Sequence, residues 1–390
     1  MLKTFLENHL ADWDAKGLRR RARTIEGPQG REVVIDGRKL LNFCSNDYLG
    51  LAGDQRLCEA AKACMEEEGF GAGASRLVCG NLSAHERLEE TMARFKGTER
   101  CLVFSTGYMA NVGILSGLFG RGDWIFSDRL NHASIIDGII LSQAHFKRYP
   151  HGDMEALEDM LRLAPSGAKK VIVTDSVFSM DGDIAPLDRI VALAQKYECL
   201  VMVDEAHGLG VLGQGGRGAV EHFDLEGKVD IQMGTFSKAA GSFGAYCCGP
   251  ADLIEFLINR ARSFIYTTGL PPSVAAASLK GIEIIKEEPE RRRRLWDNTD
   301  VLLRGLKQMG FDTLVSRTPI IPIIIGESRV AVEFSQKLFE AGIFVSAIRP
   351  PTVPQNTARL RLTVTATHTP DDLQQLLGEL KRVGRELCLI

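Results

Sequence analysis

The sequence predicts an α/β protein: a mostly parallel sheet with helices on both faces, followed by a smaller α+β domain. Three observations carry this. Short apolar runs recur and stop at polar or small residues, as in Cys101-Leu102-Val103-Phe104, Trp124-Ile125-Phe126, Val171-Ile172-Val173 and Leu200-Val201-Met202-Val203. Such runs, bounded by turn signals, read as strands buried in a parallel sheet. Helix-forming stretches lie between them, with Leu187 to Tyr197 reading as the crossover into the Leu200 run, and alternating strand and helix implies parallel βαβ connections. Beyond a Glu- and Arg-rich stretch around Arg291-Arg292-Arg293-Arg294 the pattern changes. We therefore expect an N-terminal helix-and-hairpin arm over residues 1–50, a large domain over 51–288 and a small C-terminal domain over 289–390.

Composition sets the bounds. A chain of 390 residues, 45% hydrophobic and 25% charged, is ordinary globular material, long enough to bury roughly three quarters of its unfolded surface. A net charge of -3 gives no electrostatic footprint for nucleic acid. Nine cysteines without a CxxC pair suit a reduced, cytoplasmic compartment. The N-terminal stretch carries acids early and has no long apolar segment, so neither a signal peptide nor a membrane span is expected.

Taken in order, residues 1–25 suggest an amphipathic helix ending in Arg19-Arg20-Arg21-Ala22-Arg23. Val33 to Phe43 reads as a hairpin turning at Asp36-Gly37. The run Gly69-Phe70-Gly71-Ala72-Gly73-Ala74 formally matches a dinucleotide fingerprint, but Leu57 to Met65 before it is a helix former, not a strand. A flexible wall of an active-site entrance fits it better. Gly208 to Gly213 matches the same pattern and also fails, since Asp204 to His207 separate it from its strand. His85-Glu86 lacks the second histidine of a zinc-protease helix. After the Cys101 strand, Ser105-Thr106-Gly107-Tyr108 opens an apolar-periodic helix whose first turn presents free N–H groups. His132 follows the strand Trp124–Asp128, and Ser179 follows the strand Lys170–Asp175. The four arginines from Arg291 read as a solvated face. In the small domain, Ile320 to Ile325 and Arg359 to Val364 look like strands, with helices after Glu327 and after the cap-like Thr369-Pro370-Asp371. Prolines stiffen the Arg349-Pro350-Pro351-Thr352-Val353-Pro354 loop, which could hold Thr352 as a substrate contact.

The chemistry centres on Gly234-Thr235-Phe236-Ser237-Lys238-Ala239-Ala240-Gly241. A lysine among small residues and hydroxyls is either a solvated loop residue or an amine placed beside an anion cup. Asp204 decides between them. It ends a predicted buried strand, at the sheet edge where open α/β sheets bind ligands. As a metal ligand it would want more acids or histidines at ligand spacing. As a partner for a protonated pyridine nitrogen it needs only itself. Amine and acid together suit pyridoxal phosphate held as a Schiff base, and Gly107 and Tyr108 then become phosphate contacts.

Asp204-x-x-His207 followed by Thr235-x-x-Lys238, with Phe178-Ser179-Met180-Asp181-Gly182-Asp183, resembles the fold-type I pyridoxal-phosphate-dependent enzymes with an aspartate-aminotransferase-like large domain. Within them the chain resembles the α-oxoamine synthases, from about Arg19 to the C-terminal region. The resemblance implies several roles. His132 would lie flat on the cofactor ring and touch substrate, Ser179 and His207 would sit near the ring's phenolic oxygen, and Thr235 would join the cofactor site. Thr267 and Thr268 would reach the phosphate in a partner subunit, which makes a homodimer with shared active sites. Asn46 and Arg361 would take the amino-acid carboxylate, Arg359 being the competitor on the same strand face. Arg19 would help bind the acyl substrate, with Arg20 and Arg21 competing.

The closest branch in likeness condenses L-alanine with a pimeloyl thioester on the way to biotin, the acyl group riding on coenzyme A or on acyl carrier protein. Sister synthases using glycine with acetyl- or succinyl-CoA, or serine with a fatty acyl thioester, remain rivals, as does an aminotransferase. A non-catalytic partner subunit of this family would be expected to lack the Schiff-base lysine, which stands here as Lys238.

Overall fold

The computed structural model describes residues 1–16, 18–20 and 22–390. Helix α1 (Leu2–Ala15) ends well short of residue 25, with the Lys16 N–H turned back onto the carbonyls of Asp12 and Asp14. The expected helix is therefore corrected. Lys16-Gly17-Leu18 places a poor helix former just after it, and Arg19 and Arg20 lie in irregular chain. Arg21 falls outside the described residues. Strands β1 (Glu32–Ile35) and β2 (Arg38–Asn42) pair antiparallel, with Ile35 opposite Arg38. Asp36 and Gly37 are the two-residue turn, at φ 51 and 69, the left-handed pair that a twisted hairpin needs.

The chain continues through α2 (Gln55–Glu68), α3 (Ser83–Lys96), β3 (Arg100–Phe104), α4 (Gly107–Leu118), β4 (Trp124–Asp128), α5 (Ala133–Ser142), β5 (His145–Tyr149), α6 (Met154–Arg162), β6 (Lys170–Asp175), α7 (Leu187–Lys196), β7 (Leu200–Asp204) and the short α8 (Ala219–His222). Then follow β8 (Ile231–Thr235), β9 (Ala245–Gly249), α9 (Ala251–Arg260), α10 (Arg262–Ile265), α11 (Pro272–Glu287) and α12 (Pro289–Met309). The last elements are β10 (Ile320–Gly326), α13 (Ser328–Glu340), β11 (Ile343–Phe344), β12 (Ser346–Ile348), β13 (Ala358–Thr363) and α14 (Pro370–Glu386).

Among the described residues the chain forms two compact units. One comprises Asp47–Ser179 and Asp183–Arg293, the other Met1–Asn46, Met180–Gly182 and Arg294–Ile390. Residues Met1–Asn46 thus fall in the same unit as Arg294–Ile390.

The larger unit holds a seven-stranded sheet in the order β3-β9-β8-β7-β6-β4-β5. Strands β5, β4, β6, β7 and β8 run parallel, and β9 is antiparallel to both of its neighbours. Leu102, Ile125, Val173 and Met202 on one face pack with α4, α5, α9 and α10. Val103, Phe126, Ile172 and Val201, alternating with them, are buried as well. Burial of both faces is why these strands read as unbroken apolar runs. The sequence did not foretell β5 or β9.

One sequence expectation fails on α12. Arg292 is buried and donates to the carbonyls of Ile285 and Gln214. Arg291 is half-buried and pairs with Glu288 at 2.6 Å and Asp54 at 3.4 Å. Successive helix residues point about 100° apart, so four arginines in a row cannot all share one solvated face.

The smaller unit has the sheets β1-β2-β11 and β10-β13-β12. Helix α14 begins with the cap expected at Thr369. The Thr369 hydroxyl accepts from the Asp372 N–H, and Asp372 accepts from the Thr369 N–H. His368, just before it, stacks on Phe43 at 4.0 Å. Its Nδ1 accepts from the Thr365 N–H and its Nε2 donates to the Asn42 carbonyl. Burial pushes its pKa down to about 4. A histidine with a depressed folded pKa contributes stability above its unfolded pKa and loses it as pH falls through the folded value. We expect this unit to lose on the order of 3 kcal/mol between about pH 6.5 and pH 4. Denaturant midpoints against pH should show that slope, and His368→Gln should flatten it. Among the described residues no helix is long and apolar enough to cross a membrane.

Candidate active site

The C-terminal ends of the parallel strands and the first turns of α4 meet at one cavity of about 190 Å³. Gly107, Tyr108, His132, Ser179, Asp204, His207, Thr235 and Lys238 all line it. Each stands at or just beyond the C-terminal end of a strand, along the same sheet edge, where an open α/β sheet places ligands.

Lys238 sits in the turn between β8 and β9, its carbonyl accepting from the Gly241 N–H at 2.9 Å. The Thr235 hydroxyl donates to the Gly244 carbonyl at 2.6 Å and accepts from the Ser237 N–H at 3.1 Å. Asp204 ends β7 and is 4% exposed. One of its oxygens accepts from the Asn111 amide at 2.8 Å, the other from the Ala206 N–H at 2.9 Å. His207 Nδ1 lies 2.6 Å from the hydroxyl of buried Tyr48.

At the opening of α4, Thr106 caps the Met109 N–H at 3.1 Å. The N–H groups of Gly107 and Tyr108 come earlier still, in the turn that has no intrahelical acceptors. A Cβ on Gly107 would come within 3.3 Å of the Met233 methyl. The Tyr108 hydroxyl donates to Asp137 at 2.6 Å, and that bond raises its pKa. The His132 N–H donates to Asp175 at 2.9 Å, and its Nδ1 lies 2.7 Å from the Ser134 hydroxyl. Burial lowers the His132 pKa; Asp204 opposes this and Lys238 adds to it. Burial first, and the Asp204 charge second, hold the Asp175 carboxyl well above the usual carboxylate range.

Asn111, Ser134 and Asp175 line the same cavity and were missed from the sequence, while Ser237, one of the hydroxyls beside Lys238, lines it too. Asp175 carried a signal, since it ends its strand as Asp204 does. The glycines after Asp204 turn out to make room for Glu205. A Cβ on Gly208 would meet its carboxylate at 2.1 Å and one on Gly218 at 2.5 Å, while Glu205 accepts from the N–H groups of Ala219 and Val220. His85 caps α3 through its Nδ1, and its Nε2 donates to the Leu270 carbonyl at 2.6 Å.

Other expected site residues are not among those lining this cavity. Thr267 is half-buried and Thr268 exposed, beyond α10 and outside the cavity lining. In the smaller unit Arg361 is buried and donates to Asn46 at 3.0 Å and Thr363 at 2.9 Å. Its competitor Arg359 pairs with Asp181. Arg19 pairs with Asp14 at 2.5 Å, and it is Arg20 that donates to the Thr352 hydroxyl, at 2.9 Å.

The donor set suits pyridoxal phosphate. One cavity offers an amine, a buried carboxylate, a helix N-terminus with adjacent hydroxyls for a phosphate, and a histidine ring. The buried Oδ1 of Asn111 has no hydrogen-bond partner among the described residues, an acceptor left over in the wall of the cavity. Fold and donor set together define the class of fold-type I pyridoxal-phosphate-dependent enzymes.

Comparison with known proteins agrees. The family model described as aminotransferase class I and II matches residues 38–380. The 8-amino-7-oxononanoate synthases of Geobacter sulfurreducens and Citrifermentans bemidjiense are each 51% identical, covering 96% and 100% of this chain and the same shares of their own. A high-resolution structure of SPT with PLP superposes with a TM-score of 0.95 at 36% identity, over 100% of both chains. The 8-amino-7-oxononanoate synthase of Francisella tularensis superposes with a TM-score of 0.78 at 33% identity, covering 89% of this chain and 98% of its own. The chain belongs to the aminotransferase class I and II family and, within it, to the 8-amino-7-oxononanoate synthases.

Proposed function

We propose that this protein condenses L-alanine with a pimeloyl thioester to give 8-amino-7-oxononanoate, releasing carbon dioxide and the carrier thiol, as a step toward biotin. The observation that carries this is full-length 51% identity to relatives of that name, in a chain where Lys238 and Asp204 line one cavity. Bound pyridoxal phosphate supplies an electron sink for the charge that develops at the α-carbon of the amino acid.

The residues divide the remaining work. Lys238 Nζ holds the cofactor between turnovers and moves the α-proton during them, as a general base and then an acid. Asp204 keeps a proton on the ring nitrogen, with Asn111 and the Ala206 N–H fixing the plane of its carboxylate. Gly107, Tyr108 and Ser237 take the phosphate, and Thr235 holds the Lys238 turn. His132, Ser179 and the Tyr48–His207 pair would hold the ring of the cofactor from the other walls of the cavity. Arg361 and Asn46 take the substrate carboxylate, for which a guanidinium fork is well shaped. Thr352 and the Arg19–Arg20 segment take the acyl substrate, delivered on coenzyme A or acyl carrier protein. Thr267 and Thr268 complete the phosphate site of a partner subunit, so the reading includes a homodimer. Nine cysteines present as thiols fit a cytoplasmic setting.

The superposition on SPT keeps one rival open, condensation of serine with a palmitoyl thioester. Product mass and carbon dioxide release separate the readings. Alanine with pimeloyl-CoA or pimeloyl carrier protein should give the oxononanoate. Product from serine with palmitoyl-CoA, or from glycine with acetyl-CoA, and none from alanine would overturn the proposal.

A further inference from the structure

His151 joins two loops that both carry cavity residues. Its Nδ1 lies 3.0 Å from Asp128 Oδ1 and its Nε2 2.9 Å from Asp183 Oδ2. One imidazole donates to two carboxylates only with a proton on each nitrogen, so the geometry calls for the cation. Phe178 packs edge-on against the ring at 4.4 Å. On one side of this bridge, Asp128 is 2% exposed, ends β4 and also accepts from the N–H groups of Leu130 and Gly152. Four residues on comes His132. On the other side, Asp183 closes the loop after β6. The Phe178 N–H donates to the Asp183 carbonyl at 3.1 Å, and the Ala185 N–H to the Ser176 carbonyl at 3.0 Å. Between them is Ser179, which lines the cavity with His132.

We propose that His151 is a positioning residue, a charged clip that holds the Ser179 loop to the end of β4 and so presets Ser179 and His132 for the cofactor. The cofactor part of this rests on the pyridoxal phosphate reading above. Burial alone would lower the ring's pKa, but Asp128 and Asp183 outweigh it and push it up to about 10, so the clip stays closed through neutral pH. Asp183 Oδ1 is buried without a partner among the described residues. Losing His151 would take the hydrogen bond from its other oxygen too, and leave two carboxylates facing across the gap.

The test is His151→Gln, read in two ways. Amide hydrogen exchange over residues 176–183 is followed without added cofactor, and pyridoxal phosphate affinity is measured by absorbance titration. Exchange should quicken by about tenfold or more, and Kd should rise roughly ten- to hundredfold, the worth of a charge-assisted hydrogen bond or two. Adding Asp183→Asn to His151→Gln should recover most of both, since the two amides can bond each other and Asp128, still held by the Leu130 and Gly152 N–H groups, no longer faces a second carboxylate. Normal exchange and affinity in a folded His151→Gln protein would overturn the clip, as would a double variant no better than the single. If His151→Gln does not fold, Asp183→Asn alone is read the same way: faster exchange and about tenfold weaker binding support the clip, wild-type values overturn it. A wild-type protein that takes up no pyridoxal phosphate would remove the cofactor reading, while the exchange data would still decide the clip.

Discussion

Replacing Lys238 with alanine is expected to lower turnover by at least about 10⁴-fold, with the fold intact. The fold should survive because the turn is held by groups other than the lysine side chain. The Phe236 N–H donates to the Gly244 carbonyl at 3.0 Å, and the Ser242 N–H to the Phe236 carbonyl at 3.0 Å. Phe236, Ala239 and Ala240 are buried around it. Gly241 closes the turn at φ 67, where a Cβ would come within 2.4 Å of the Leu51 backbone. Alanine therefore removes an amine and little else. On the proposed reading two functions go with that amine, the covalent hold on the cofactor and the proton transfer, so the loss should exceed that for either alone. Lys238→Arg separates charge from chemistry. Its guanidinium stays protonated and should rescue nothing. Carbon dioxide release gives the rate, and borohydride reduction should add the cofactor's mass to the wild-type chain but not to either variant. A folded alanine variant retaining about a tenth of wild-type turnover would move the assignment to another group.

That Lys238 lines one cavity with Asp204 and His132 was legible in the sequence largely through sheet geometry. Strands buried on both faces betray themselves as apolar runs, and their C-terminal ends are where ligands bind, so Asp204, His132 and Lys238 were readable by position. Asn111 was not. It lies within α4, on a face that reads as ordinary core, and its role appears only where the helix meets Asp204, 93 residues further along the chain. Strand β5, His145-Phe146-Lys147-Arg148-Tyr149, hid for the opposite reason. It is an edge strand and mostly exposed, so nothing demanded an apolar pattern. Strand β9 is buried but bounded by Gly244 and Gly249, and its sequence gives no hint of its antiparallel direction. The clip at His151 was equally invisible, because its two carboxylates come from positions 23 residues before it and 32 after it. Arg292 shows the limit of composition: a run of like charges says nothing about which member a helix turns inward.

Asp204→Asn is expected to give the second largest loss, about 10²- to 10³-fold in kcat, with a smaller effect on cofactor binding. The substitution is nearly isosteric, so the packing at the end of β7 should hold. What changes is charge and donor pattern. The carboxylate now accepts from the Asn111 amide and the Ala206 N–H; an asparagine there would either set two NH₂ groups against each other or rotate and lose the Ala206 bond. In neither orientation does it offer a negative charge. On the proposed reading the pyridine nitrogen would then face a neutral amide and lose its proton, and the ring accepts electrons poorly without it. Each pKa unit lost at that nitrogen is worth about 1.4 kcal/mol, so two or three units account for the expected fall. Asp204→Glu keeps the charge but displaces it by one methylene, and should fall between the two. A simple structural role for Asp204 predicts a different pattern: lower melting temperature and weaker cofactor binding, with kcat near normal once the protein is saturated. Measured at saturating pyridoxal phosphate and alanine, an Asp204→Asn protein with kcat within about threefold of wild type would show that this acid shapes the cavity and leaves the chemistry to others.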